Sequence, residues 1–226
     1  MEDDAELLDR SRLVKLEQAL STELLPTKRD IVRDNTYGDV NDIVNRSREL
    51  LNARLSGLRE QLQELTDLRG KKYVLTWTYH PKPLNTAVAN SALTIATRMG
   101  MDVTLLCPTP EYVLDQRYMD WAAQNVAESG GSLAVSHDIE SAYAGADVVY
   151  AKSWGALPYF GNWEPEKPIR DQFKHFIVDE RKMALTNNGV FSHCLPLRRN
   201  VKATDGVMDS PQCIAIDEAE NRLHVQ

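Results

Sequence analysis

The apolar positions of this chain follow two rhythms, and the change comes near residue 67. In the first stretch Leu13, Leu16, Leu20 and Leu24 lie three or four residues apart, the spacing of one helix face. Proline inside a helix removes a hydrogen bond and crowds the preceding turn, so Pro26 predicts the end of that helix. A polar stretch runs to Asn35-Thr36-Tyr37-Gly38, after which Asp39 predicts the cap of a second helix. Leu51, Leu55, Leu58, Leu62 and Leu65 are alternately four and three apart, an a/d seam of the coiled-coil kind. Arg54, Arg59, Glu60 and Glu64 fall between them as a solvated face. Residues 1–66 are therefore expected to form a helical hairpin, coiled-coil-like, that self-associates or finds a partner. With Tyr37 as its one aromatic residue, such a segment builds little core alone.

Beyond Asp67-Leu68-Arg69-Gly70 the pattern becomes alternating strands and helices. Strands are predicted at 73–78, 103–107, 132–136, 147–151 and 189–193, with a short sixth at 213–216. Their runs are rich in β-branched and aromatic residues, such as Tyr73-Val-Leu-Thr-Trp-Thr78. Helices are predicted at 85–99 and 111–129, the latter ending at Gly130-Gly131. A short helix follows, capped by Asp138 and ended by Gly145, and another spans 167–186 with a break near Asp179. Apolar strands alternating with helices predict an α/β fold, a doubly wound parallel sheet covered on both faces. In such folds ligands sit at the carboxyl ends of the strands. The segments after Thr78, Ala151 and His193 are the ones to search.

Composition narrows the function. With 42% apolar and 26% charged residues among 226, the chain is neither a disordered tail nor a membrane protein. No apolar run approaches a bilayer span, and the acidic start Met1-Glu2-Asp3-Asp4-Ala5-Glu6 is unlike a secretory leader. A net charge of −7 disfavours nucleic acid and anionic membrane as partners, while local cations still admit a small anion. Cys107, Cys194 and Cys213 are odd in number and scattered, which fits a reducing cytoplasm and argues against a disulfide scaffold or a zinc site.

Each of the three strand ends carries chemistry. The first leads into Tyr79-His80-Pro81-Lys82-Pro83-Leu84-Asn85-Thr86. This is no glycine-rich dinucleotide turn, which removes a nicotinamide oxidoreductase. It is a stiff loop delivering an imidazole and an ammonium to a helix start, or equally a rigid surface loop with His80 idle. The second leads into Lys152-Ser153-Trp154-Gly155; an ammonium at the end of an apolar strand is costly unless an anion meets it. The third carries His193-Cys194-Leu195-Pro196-Leu197-Arg198-Arg199-Asn200-Val201-Lys202. Adjacent arginines there offer forked donors to phosphate or carboxylate, or form an exposed basic loop. A Cys–His protease pair is disfavoured, because neighbours on a strand point to opposite faces.

His193-Cys194-Leu195-Pro196 resembles the H-C-L-P motif of the ornithine carbamoyltransferase family. Ala203-Thr204-Asp205-Gly206-Val207 and Ile216-Asp-Glu-Ala-Glu-Asn-Arg-Leu-His224 resemble that family's C-terminal end, and the likeness runs over 67–226. Where ornithine enzymes carry Tyr-Thr-Asp-x-Trp, this chain has Tyr150-Ala151-Lys152-Ser153-Trp154. An acid that holds the substrate's α-ammonium has become a base, which resembles the branch of the family that takes N-acetylornithine.

The resemblance implies carbamoyl transfer from carbamoyl phosphate to the δ-amine of N-acetylornithine, in arginine biosynthesis. It implies that Cys194 and Leu195 contact the reacting groups, across a cis Leu195–Pro196 bond. Arg198, and less directly Arg199, would neutralise carbamoyl phosphate. Lys152 would bind the α-carboxylate, with Trp154, Asn85 and His80 around the substrate, and Lys202 would carry a carboxylated side chain. No metal or organic cofactor is implied. The family's S-x-R-T-R and His-Pro-x-Gln motifs, which grip carbamoyl phosphate, do not occur in residues 1–66. Residues 67–226 thus match the amino-acid-binding domain, truncated before its last helix, and the chain is expected to turn over negligibly alone. The alternative expectation is an assembly protein whose helices bind a partner and whose α/β domain is a passenger.

Overall fold

The computed structural model describes residues 12–225, with side chains except at 58, 60–67 and 222–225. The acidic start, the side chains of Leu58, Leu62 and Leu65, and those of Arg222, Leu223 and His224 lie outside the described residues. The chain divides into two compact units, Met1–Leu62 and Gln63–Gln226.

The first unit is helical, but it is not a hairpin. Helix α1 (Leu13–Ala19) passes through a π-helical turn (Leu20–Leu24) into α2 (Leu25–Asp67). Pro26 stops nothing, because the π turn precedes it: Leu25 N–H reaches back five residues to the Leu20 carbonyl. The widened turn accommodates a ring that would otherwise strike the carbonyl four residues before it. Gly38 lies inside α2 as well, where it costs about 1 kcal/mol relative to alanine without breaking the helix. The exposed side chains of this helix include Tyr37, Leu51 and Leu55.

The second unit is built on a five-stranded, wholly parallel sheet. Its strands are β1 (Lys72–Trp77), β2 (Asp102–Leu106), β3 (Ser132–Ser136), β4 (Val148–Lys152) and β5 (Val190–Ser192), in the order β3-β2-β1-β4-β5. Helices α3 (Ala87–Arg98), α4 (Gln116–Ser129) and α5 (Ile139–Tyr143) connect the first four strands. Gly130 closes α4 at φ 83° and Asp138 caps α5 by accepting from Ser141 N–H. The core lies along β1, β2 and β4, where Val74, Leu75, Trp77, Leu105 and Val149 are fully buried.

Two predictions need correction. The long helix expected at 167–186 is instead α6 (Lys167–Arg170), a 3-10 segment (Asp171–Phe176) and α7 (Glu180–Met183). Phe173 leaves helical geometry, and Asp179 turns extended to cap α7. The sixth strand at 213–216 is absent among the described residues: a single bridge joins Phe191 to Cys213, and α9 (Ala215–Val225) follows α8 (Asp205–Met208). Of the four apolar residues there, Ala215 and Ile216 begin the helix. Among the described residues no helix is long and apolar enough to cross a membrane.

Candidate functional site

The sheet order reverses direction between β1 and β4, and in doubly wound sheets the carboxyl ends of the strands at such a switch point are where the ligand crevice lies. The two strand tips are tied together beyond the ladder. Thr78 N–H donates to the Lys152 carbonyl at 2.9 Å, and the Thr78 and Ser153 hydroxyls meet at 3.1 Å. Because β1, β4 and β5 are adjacent and parallel, all three segments singled out from the sequence leave the same end of the sheet.

Five of the nine expected site residues converge there: His80, Lys152, Cys194, Arg198 and Lys202. Lys152 Nζ lies 3.3 Å from Cys194 Sγ, and Lys202 Nζ lies 3.3 Å from His193 Nε2. Lys202 is only 3% exposed. Burial, then the positive charges of Lys152 and Arg198, hold its amine down to about 8, against a smaller opposing pull from Cys194. Burial and the charges of Lys202 and Lys152 push His193 down to about 3. His80 is lowered too, by burial and by Lys202, Arg198 and Arg170, though its bond to Lys82 opposes this. Burial first, and the positive charges beside them second, disfavour the protonated form of both imidazoles. His193 Nδ1 is buried with no hydrogen-bond partner.

The other four residues have different surroundings. Trp154 is buried, and its indole N–H donates to the Tyr112 carbonyl at 2.8 Å; it packs the core under the site. Arg199 turns to Asp205 and Asp209, at 3.0 and 2.6 Å. Asn85 accepts from Ala87 N–H at 3.1 Å, in the turn leading into α3. Leu195 is exposed and joined to Pro196 by a cis peptide bond.

Two groupings were not foreseen. Tyr150 donates to Glu218 at 3.0 Å and Ser192 donates to the other oxygen of the same carboxylate. Burial, then Glu218 and Cys194, push the Tyr150 hydroxyl upward. The second is a buried pair, Glu166 with Arg170, whose i,i+4 spacing was visible but reads in a sequence as a surface pair. Arg170 also donates to the Pro81 carbonyl at 3.1 Å.

Chemically the crevice is a concentration of positive charge facing a thiol and two neutral imidazoles. Among the described residues neither Lys152 nor Arg198 has a carboxylate partner, in contrast to Arg199. Such a site is prepared for an anion. Among the described residues no three His, Cys, Asp or Glu side chains gather to hold a metal.

Comparison with known proteins is consistent with that chemistry. The family described as "Aspartate/ornithine carbamoyltransferase, Asp/Orn binding domain" matches residues 76–226. The chain is 94% identical over 160 residues to N-acetylornithine carbamoyltransferase of Xanthomonas campestris pv. campestris, covering 71% of this chain and 47% of that protein. It is 36% identical over 203 residues to N-succinylornithine carbamoyltransferase of Bacteroides fragilis, covering 84% of this chain and 58% of that one. A crystal structure of acetylornithine transcarbamylase complexed with acetylcitrulline superposes with a TM-score of 0.70 at 94% identity, over 71% of this chain and 48% of that one. The chain spans about half the length of the first of these relatives.

Proposed function

We propose, from the premise that this chain belongs to the aspartate/ornithine carbamoyltransferase family through its Asp/Orn-binding domain, that it binds an N-acylated ornithine for carbamoyl transfer. The observation that carries this reading is Lys152, an ammonium at the tip of β4 beside Cys194, where the substrate's α-carboxylate would lie. Acylation removes the α-ammonium and leaves a carboxylate, which an ammonium attracts. Arg198, free of carboxylate partners among the described residues, would neutralise a phosphate oxygen as the carbon–oxygen bond to it breaks. In the transfer the δ-amine nitrogen bonds to the carbamoyl carbon, phosphate leaves with the bonding pair, and the nitrogen gives up a proton. Preorganised cations of this kind stabilise charge where it develops.

Lys202 forms part of the same reading. A neutral amine adds carbon dioxide to give a carbamate and a proton, and the amine's lowered affinity for protons favours the neutral form. Carbon-13 NMR with labelled bicarbonate tests this: a carbamate signal present in the native chain and missing from Lys202→Met supports it. The functional reading is tested by calorimetry with N-acetylornithine and with free ornithine. Binding of the first and at least about tenfold weaker binding of the second supports it; equal binding of both overturns it.

A second reading is favoured by the first unit, where Leu51 is 62% and Leu55 is 50% exposed. On this view the helix assembles copies of the chain. Light scattering that gives the same mass for the chain and for the Leu51→Asp, Leu55→Asp variant rules it out.

A further inference from the structure

The pair formed by Glu166 and Arg170 is an unusual thing to bury. Glu166 is 0% and Arg170 is 2% exposed. A buried ion pair often adds nothing to stability over an apolar pair of the same volume. Here the guanidinium even leaves its Nε without a partner, a further cost. Core stability therefore does not account for the arrangement, but its connections do.

Glu166 is held by the Tyr112 hydroxyl at 3.0 Å and by Ala156 N–H at 3.3 Å. It seats Arg170, whose second nitrogen donates to the Pro81 carbonyl. Pro81 follows His80 directly, and the His80 ring accepts from Lys82 N–H at 3.0 Å. The same loop is gripped elsewhere: Tyr79 donates to Asp171 at 2.8 Å, and Gly155 N–H donates to the Leu84 carbonyl at 3.0 Å. A side chain at 155 would meet the Trp163 ring at 2.5 Å and Pro83 at 2.8 Å, so the loop is wedged as well as bonded.

We propose that Arg170, seated by Glu166, is a positioning residue that fixes the 79–84 loop and so sets where His80 meets the substrate. This rests on the functional reading above and adds a determinant outside the cationic crevice. Because proline cannot donate a backbone hydrogen bond, the loop has few main-chain anchors of its own, and the Pro81 carbonyl is the handle that Arg170 holds.

The test uses the full chain and two readouts, in the native sequence, Arg170→Lys, His80→Ala and the double variant. Lysine keeps a positive charge opposite Glu166 but lacks the fork that reaches both partners. Amide hydrogen exchange at Lys82 and Gly155 is expected to quicken by about tenfold in Arg170→Lys, with strand amides such as Val74 and Leu105 unchanged. N-acetylornithine binding is expected to weaken by about tenfold, and to weaken no further when Arg170→Lys is added to His80→Ala. Unchanged exchange at Lys82 and Gly155, or equal losses of binding in both backgrounds, overturns the proposal. If the native chain does not bind N-acetylornithine, the functional reading fails and exchange alone decides the positioning role. Should Arg170→Lys also loosen the strand amides, Tyr112→Phe replaces it, stripping one bond from Glu166. It must then give the same selective pattern, and its absence counts against the proposal.

Discussion

Replacing Lys202 by methionine removes the one buried amine in the crevice, and its effect on stability is expected to depend on pH in a calculable way. In the folded chain the amine is held down to about 8, against an ordinary value of 10.5. Between those values the unfolded chain keeps a proton that the native state has released, so stability rises with pH through that window. Below it both states are charged and the whole penalty applies, about 3 kcal/mol at about 1.4 kcal/mol per pH unit. Above it both are neutral and the penalty is gone. From about pH 7 to about pH 10 the native state therefore recovers about 2.5 kcal/mol from this group. The Lys202→Met variant lacks the group and recovers none of it. The methionine also takes a hydrogen bond from His193, but His193 is neutral throughout this range, so that loss is a constant offset. Urea unfolding of both proteins, in buffers free of carbon dioxide, gives the difference at each pH. All four tryptophans lie beyond residue 70, so their fluorescence reports the α/β unit. A difference between the two proteins that stays within about 0.5 kcal/mol across the range refutes the reasoning.

Three other outcomes are expected. Lys152→Glu turns attraction for a carboxylate into repulsion; a close pair near a protein surface interacts by about 4 kcal/mol, so N-acetylornithine affinity measured by calorimetry falls at least about hundredfold, and an unchanged affinity places the carboxylate elsewhere. His193, at about 3 instead of 6.5, keeps its stability contribution above its ordinary value and loses it as pH falls toward 3, because the unfolded chain takes up a proton first; His193→Asn should flatten the acid limb of the stability curve, read by urea unfolding at each pH. Gly155→Ala drives a methyl group into Trp163 and Pro83 and should cost about 1–3 kcal/mol by the same measurement, with Gly161→Ala as a control at an open but positive-φ turn.

The sheet was legible because its central strand, β1, is a continuously buried, largely apolar run and the other strands are short apolar or β-branched runs bounded by turns and helix signals. Ser132–Ser136 matches to the residue and the four others to within one or two. The elements that misled are those where local signals compete with context. Pro26 carries a stop signal in any sequence, and only the π turn before it lets the helix continue. Cys213 to Ile216 has strand composition but one bridge to Phe191, and a run of four cannot be told from a helix start by periodicity. In the site, the charge at Lys152 and the crowding after His193 were visible, since both follow strands. Arg198 and Arg199 looked alike and are not: Asp205 and Asp209 lie within reach of Arg199 alone. No spacing rule reveals that, nor that Glu166 and Arg170 are inside.

The two charged groupings of the α/β unit have opposite designs, and the contrast bears on selectivity. Around Arg170 the charges are opposite and paired: Glu166 holds the guanidinium and is itself held by the Tyr112 hydroxyl, and the guanidinium also reaches the Pro81 carbonyl, although its Nε has no partner. Around Lys152, while Lys202 is an unmodified amine, the neighbouring charges are alike, and burial and those charges both disfavour protonation of the two imidazoles. A site of like charges that is stable without a ligand holds its repulsion in reserve. An incoming carboxylate relieves it, whereas a zwitterionic amino acid brings an ammonium on the same carbon as the carboxylate and restores it. On the proposed reading, discrimination between acylated and free ornithine would come mainly from what the crevice repels, because the attraction to the carboxylate is common to both. Enlarging the acyl group would leave that electrostatic preference untouched, so on the proposed reading the crevice would select for a capped amine and leave the choice of cap to other surfaces.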